Sequence, residues 1–321
     1  MGPVGDALLT TSYFGNLKKH LPDRKIYYLI KERYGKIIED HPQIDQIIRI
    51  KEGRGWLYFW YRLKAIKAIR RECFDLVIDQ QNMPSSQQIT FLSGARYRLG
   101  YEDARFHQAY NLKAKRGPLR YSASRKFDIL SPLGIQEEPF HLYFHIGNQA
   151  HEYIDHWLRA SAYNPEQMIV ISPGSPKTQK NWDLKQFARL ADLIQTRTNN
   201  RVILLWAPKE KGQVETVAGY METNPIKAPP TNLNQAAALL SRCKMLICND
   251  GGLNHLSVTT QTPALAIFGP TDPLVWSPAS ISPRHFHLHN PNFDSSQDNS
   301  FGITAQDAFH EVERILKLEL R

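Results

Sequence analysis

The residues best suited to chemistry lie in one run, Asn249-Asp250-Gly251-Gly252-Leu253-Asn254-His255. An apolar, strand-like stretch, Lys244–Cys248, precedes it. A short helix carrying His255 and a second apolar strand, Ala264–Phe268, follow. A strand that breaks into a Gly-Gly turn at a helix start presents outward-pointing N–H groups and the positive end of the helix dipole, which suit a phosphate. His255 reads either as a phosphate or sugar ligand or as a buried histidine bonded within the helix–turn unit. Lys180 follows the strand Met168–Ser172 and a loop with the Ser175 hydroxyl. A loop lysine is commonly just solvated, but a fixed cation beside a hydroxyl can stabilise charge developing on a leaving phosphate. Asp6 comes just after Gly5 at the turn into a helix, where position alone reads as an N-cap. Glu210 stands at another helix start, where acids are common.

Strand–helix alternation positions these groups. Strands are expected at Lys25–Ile30, Gln46–Ile50, Phe74–Asp79, Met168–Ser172, Arg201–Trp206, Lys244–Cys248 and Ala264–Phe268. Helices fill the gaps, among them Asp183–Thr196, Lys211–Met221 and Asn234–Arg242. The class is α/β, with parallel sheets covered by helices. A chain of 321 residues exceeds one ordinary core, and the break near Gly147–Tyr163 suggests domains 1–150 and 151–321. The last helix, Thr304–Leu320, opens on a capping-box-like Thr304 and Asp307 and is a candidate to pack back on the N-terminal domain.

Composition excludes several classes. No apolar run approaches a bilayer span, no signal peptide is visible, and three cysteines at unrelated spacings give neither a disulfide framework nor a zinc pattern. The expected location is cytoplasmic. There is no Gly-x-Gly-x-x-Gly after a strand and no Walker sequence, which counts against dinucleotide oxidoreductases and P-loop NTPases. His285, His287 and His289 alternate on one strand face, but no Cys or carboxylate spacing supports a metal there.

The net charge of +9 is uneven. Residues 1–150 hold 24 Lys/Arg against 15 Asp/Glu, and the rest hold 16 against 16. Nine basic residues fall between Gly94 and Lys126, including Arg96 and Arg98. One half therefore suits an acidic partner. On the expected helix near Gly55–Cys73, Phe59, Leu63, Ile66, Ile69 and Cys73 would face a core. Trp56, Trp60, Lys64, Lys67 and Arg71 form another face. That second face suits an anionic membrane interface or is an ordinary amphipathic face with cationic stems covering its tryptophans.

Three motifs resemble glycosyltransferase family 9, the bacterial heptosyltransferases and their relatives. They are Gly2-Pro3-Val4-Gly5-Asp6-Ala7-Leu8-Leu9-Thr10-Thr11, Ser172-Pro173-Gly174-Ser175 with Lys180 and Trp182, and the run from Asp250 to Pro273 ending Phe268-Gly269-Pro270-Thr271-Asp272-Pro273. The resemblance implies two Rossmann-like domains facing across a cleft (GT-B type). It implies an inverting, metal-independent transfer of a sugar, heptose from ADP-heptose, onto a lipopolysaccharide inner-core acceptor, the acidic glycolipid that the basic half would meet. Asp6 becomes the general base, while Lys180 and Ser175 contact the donor's phosphates. Glu210 contacts the ribose, and Asp250, Gly251, Gly252 and His255 complete the donor site. Gly5, Arg96 and Arg98 are the turn and acceptor candidates. No cofactor or metal is implied, since the nucleotide sugar is a substrate and no Asp-x-Asp occurs. Nucleic acid is not an expected partner; peripheral contact with the cytoplasmic face of the inner membrane is.

The chain departs from the family at three places. Pro176 replaces a second hydroxyl, and Gly251 stands where some relatives have Thr. Members usually begin with a short apolar strand before the Gly-x-x-Gly-Asp turn, whereas Met1 here lies inside the turn. Either the gene start is called too late or the first domain lacks a central strand, whose loss would cost its neighbours hydrogen bonds and Asp6 its support. Two rival readings follow: a degenerate, non-catalytic protein that binds glycolipid or nucleotide sugar, and the same enzyme type with a different sugar.

Overall fold

A computed structural model describes residues 4–161, 163–294 and 298–319. Gly2 and Leu320, named above, lie outside them. The chain divides into two compact units, Met1–His145 and Ile146–Arg321. The division falls slightly before the expected 150/151 because the Gly147 N–H donates to Asn234 Oδ1 at 2.9 Å, tying the next helix into the second unit.

The first unit carries helices α1 (Val4–Thr10), α2 (Phe14–His20), α3 (Trp56–Arg71), α4 (Pro84–Leu92) and α5 (Ser122–Arg125). Its strands are β1 (Tyr27–Lys31), β2 (Gln46–Ile50), β3 (Leu76–Ile78), β4 (Tyr97–Tyr101) and β5 (Leu112–Ala114). All pairings are parallel, but they form two sheets, β1-β2 and β3-β4-β5. A cavity of about 960 Å³ is lined by Tyr27–Ile30 of β1 and by 74–78 around β3. Five strand residues rising about 3.3 Å each, spaced about 4.8 Å from a neighbour in a layer about 10 Å thick, fill about 800 Å³. The cavity is thus about the size of one strand.

Strand β4 escaped the sequence reading because Arg98 and Gly100 interrupt its apolar run. A Cβ at Gly100 would come within 2.2 Å of the Tyr110 ring. That ring is fixed by its hydroxyl, which donates to Asp79 Oδ2 at 2.7 Å. The glycine is therefore a packing requirement inside a strand. Helix α3 departs from expectation in a different way. Ala65 and Ile69 are buried, but Phe59 and Leu63 are 66% and 59% exposed and Cys73 is exposed.

The second unit has one parallel sheet of six strands: β6 (Met168–Ser172), β7 (Arg201–Leu204), β8 (Ile226–Lys227), β9 (Met245–Asn249), β10 (Ala264–Phe268) and β11 (His285–His289). Its helices are α6 (Asn148–Ala160), α7 (Leu184–Arg197), α8 (Lys211–Tyr220), α9 (Leu233–Leu240), α10 (Gly252–Thr259), α11 (Pro273–Trp276) and α12 (Ala305–Glu319). Strands β6, β9 and β10 are buried at every residue, as unbroken apolar runs covered on both faces must be. The order β8-β7-β6-β9-β10-β11 reverses direction between β6 and β9, a topological switch point where ligands bind beyond the strands' C-terminal ends. Helix α12 was a candidate to pack on the first unit. Its buried stripe, Ala308, Phe309, Val312 and Ile315, joins the core of its own unit beside α7. Its start is capped as expected, with Thr304 N–H donating to Asp307 Oδ2 at 2.9 Å.

Amide exchange in β1 and β3, which border the cavity, should be faster than in β6 and β9 by about two orders of magnitude or more. Equal protection, measured by hydrogen–deuterium exchange, would contradict the split of the first unit into two sheets.

Candidate active site

The loops leaving β6 and β9 meet at the switch point, and a buried amide joins them. Asn249 Oδ1 accepts from the Trp182 N–H, and its Nδ2 donates to the Pro173 carbonyl, both at 2.8 Å. Trp182 is fully buried, and its indole N–H is shared between the carbonyls of Ser300 and Ile303 at 3.0 and 3.1 Å. These contacts fix the loop that carries Ser175 and Lys180.

Within that frame most of the expected donor residues are brought together. Lys180 Nζ forms an ion pair with Asp250 Oδ2. Their side chains are 14% and 3% exposed. Thr271 Oγ1 donates to the same carboxylate oxygen at 2.7 Å. The Trp276 ring lies 5.7 Å from the ammonium. Asp250 was expected to bind donor. In the structure its carboxylate faces Lys180 and Thr271.

Ser175 is buried, and its Oγ accepts from the Lys177 N–H at 3.4 Å. Glu210 lies against the same loop: a Cβ at Gly174 would meet the Glu210 side chain at 2.8 Å and Gln213 Oε1 at 2.7 Å. Burial raises the Glu210 carboxyl above its ordinary range, partly offset by the bond it accepts from the Ala207 N–H at 3.2 Å. Ser172 Oγ, Asn181 Oδ1 and Gln213 Oε1 are buried side-chain atoms without a hydrogen-bond partner among the described residues. This wall keeps hydrogen-bonding capacity that a polar ligand can satisfy. Gly251 precedes α10 in extended backbone, and a Cβ there would meet only the Asn249 carbonyl, at 3.8 Å. The side-chain contact that Gly251 lacks is therefore not forced by crowding.

His255 is 3% exposed, on the side of α10 near His285, whose pKa it helps to lower. His285 Nε2 and Nδ1 bond Ser257 Oγ at 2.9 Å and Ser282 Oγ at 2.7 Å. Ser257 donates onward to the Asn254 carbonyl at 2.8 Å, which assigns the His285 proton to Nε2. His287 Nδ1 lies 3.0 Å from Ser277 Oγ. His285 and His287 therefore brace β11 against neighbouring serines. Among the described residues no cluster of three or more His, Cys, Asp or Glu is placed to hold a metal ion.

In the first unit, Asp6 sits in the first turn of α1, two residues inside a helix that starts at Val4 and also includes Gly5. It lines the cavity between the two sheets together with Arg116 and Lys126. Burial lowers the Lys126 pKa, and the nearby charge of Asp6 opposes that. The acceptor candidates Arg96 and Arg98 are placed otherwise. Arg98 is occupied with the carbonyls of Ala109 and Ala95 at 2.8 and 3.0 Å. Arg96 stacks 5.2 Å from the Tyr97 ring. Neither lines that cavity. Arg116 and Lys126 belong to the same basic cluster in the sequence, where nothing distinguished them from their neighbours.

Burial pushes the His285 pKa down to about 4, against about 6.5 unfolded. A depressed histidine favours the fold above the unfolded pKa and loses that favour as pH falls from about 6.5 toward 4. The stability gap between wild type and His285→Gln, from urea unfolding, should therefore narrow by about 3 kcal/mol between pH 7.5 and 4.5. A pH-independent gap would contradict a buried neutral imidazole.

Known proteins place this arrangement. The family model for glycosyltransferase family 9 (heptosyltransferase) matches residues 62–302. Lipopolysaccharide heptosyltransferase 3 of Escherichia coli K12 is 26% identical over 97% of this chain and 95% of its own. Among solved structures, a family 9 glycosyltransferase from Veillonella parvula superposes with a TM-score of 0.84 at 21% identity, covering 98% of this chain and 95% of that one. The E. coli ADP-heptose lipopolysaccharide heptosyltransferase II superposes at 0.79 with 19% identity, covering 100% and 98%. The switch-point loops, the two parallel α/β units and the extent of these matches agree: the chain belongs to glycosyltransferase family 9, the heptosyltransferase family, and is a glycosyltransferase.

Proposed function

We propose that this protein transfers heptose from ADP-heptose to the inner core of lipopolysaccharide, by an inverting displacement without a metal. The observation that carries this reading is Lys180, paired with Asp250, whose carboxylate also accepts from Thr271, beside the Gly251-Gly252 turn at the head of α10. Relatives with these activities in their names support the choice of donor and acceptor.

The donor's diphosphate would take the backbone N–H groups at the α10 start, the Ser175 hydroxyl and the Lys180 ammonium. Glu210, beside Gly174, would take the ribose. In the first unit, Asp6 would accept the proton of the attacking acceptor hydroxyl, with Arg116 and Lys126 drawing the acidic acceptor to the same cavity. The new bond forms at the anomeric carbon as the bond to the diphosphate oxygen breaks. The leaving electron pair then rests on an oxyanion that Lys180 stabilises. Inversion follows from a single displacement. The setting we propose is the cytoplasmic face of the inner membrane, where the acceptor is anchored and the protein docks peripherally. Among the described residues no helix is long and apolar enough to cross a membrane.

Pro176 and Gly251 remove two contacts that relatives can make, and they favour a second reading, binding without turnover. A transfer assay with ADP-heptose and an inner-core acceptor, run with chelator, separates the two. Asp6→Asn should reduce the rate by about 10²–10⁴-fold with donor affinity unchanged in calorimetry. Donor binding without transfer by the wild type would favour the non-catalytic reading or another sugar. Transfer abolished by chelator would overturn the metal-independent mechanism.

A further inference from the structure

Helix α3 presents an exposed face that the sugar chemistry does not use. Trp56, Phe59, Trp60 and Leu63 are 71%, 66%, 47% and 59% exposed. Their spacing of i, i+3, i+4 and i+7 puts them on one stripe. The same stripe continues into Lys64, Lys67, Arg70 and Arg71, all exposed. The first two turns of this face are thus aromatic and aliphatic, and the last two are cationic. The helix contains no acidic residue, and among the described residues none of these four cations forms a salt bridge. Lys64 Nζ lies 5.0 Å from the Trp60 ring, where the two halves meet. The opposite side is anchored by Ala65 and Ile69 in a small core with Ile50 and Ile89. Arg62 bonds the Ser85 carbonyl at 2.6 Å. The outward stripe therefore cannot roll inward to hide.

We infer that this face of α3 docks on an anionic lipid bilayer surface, with Trp56, Phe59, Trp60 and Leu63 entering the headgroup–acyl boundary and Lys64, Lys67, Arg70 and Arg71 meeting lipid phosphates. The inference deepens the peripheral membrane contact in the proposed function and rests on that reading only for its biological setting. Charge decides among occupants. A second copy would bring two sets of unneutralised cations into one interface, where like charges repel. An acidic protein would match the cationic half but leave the aromatic half without a defined apolar pocket to fill. A bilayer surface satisfies both halves, because tryptophan favours the headgroup level and basic residues are drawn to anionic lipid.

The test is vesicle co-sedimentation of the full chain without sugar donor, so that it is independent of transfer. Vesicles of phosphatidylcholine with phosphatidylglycerol should bind the protein, and vesicles of phosphatidylcholine alone should bind it far less. Replacing Lys64, Lys67, Arg70 and Arg71 by Gln should weaken binding by roughly 10²–10³-fold. Trp56→Ser with Trp60→Ser should weaken it further and abolish any blue shift of tryptophan emission. These surface variants should melt as the wild type does and retain donor binding, which separates lost docking from lost folding. Equal binding by wild type and variants would overturn the proposal. So would equal binding to neutral vesicles, or concentration-dependent self-association abolished by the same substitutions.

Discussion

Asn249 ends β9 at the switch point, and both ends of its amide are engaged, one on the Trp182 N–H and one on the Pro173 carbonyl. The side chain is 2% exposed, so a lost bond would leave a buried group unpaired at about 1–3 kcal/mol. Through this amide the loop after β6 is locked to the loop after β9, and Trp182 carries the lock to the segment around Ser300. Ser175, Lys180, Asp250 and the Gly251-Gly252 turn all stand on these loops. Parallel strands bring the loops to the same end of the sheet; the amide sets their separation.

Electrostatics then acts on a fixed scaffold. A largely buried lysine loses much of its hydration, and here Asp250 pairs with it while Thr271 donates to the same carboxylate. A diphosphate arriving there would meet a cation already oriented, with little left to reorganise. The first unit differs, because its sheet is split and its charged groups Asp6, Arg116 and Lys126 line a cavity rather than a tied loop pair. The two units thus contrast in sheet continuity: one is built on six contiguous strands, the other on two and three.

Much of this was legible in the sequence. Strands β6 and β10 fall where their apolar runs end, because full burial leaves no reason for a polar residue inside them. The positions of the Gly-Gly turn after β9 and of Lys180 after β6 were legible from the order of apolar runs and loops. Other features depend on tertiary neighbours. Strand β4 contains Gly100 because the Tyr110 ring needs the space. Phe59 and Leu63 have core-like spacing on α3, yet Ala65 and Ile69 provide its buried contact. Asn249 reads as a turn residue until both of its partners are seen. Thr271 stands in the quoted Phe268–Pro273 segment, but only the fold brings it to Asp250. Arg116 and Lys126 could not be told from Arg96 and Arg98 by spacing, because only the fold shows which of the four line the cavity.

The central claim is that Asp250 positions Lys180 for an anionic ligand. Calorimetry of ADP binding to the full chain tests it directly, comparing wild type, Asp250→Asn, Lys180→Ala and the double variant. Removing a negative charge near an anion strengthens binding if charge alone matters. The positioning account predicts the opposite: Asp250→Asn weakens ADP by about tenfold, equivalent to about 1.4 kcal/mol, and adds little to the loss in Lys180→Ala. Tighter binding in Asp250→Asn, or losses that simply add in the double variant, would contradict it.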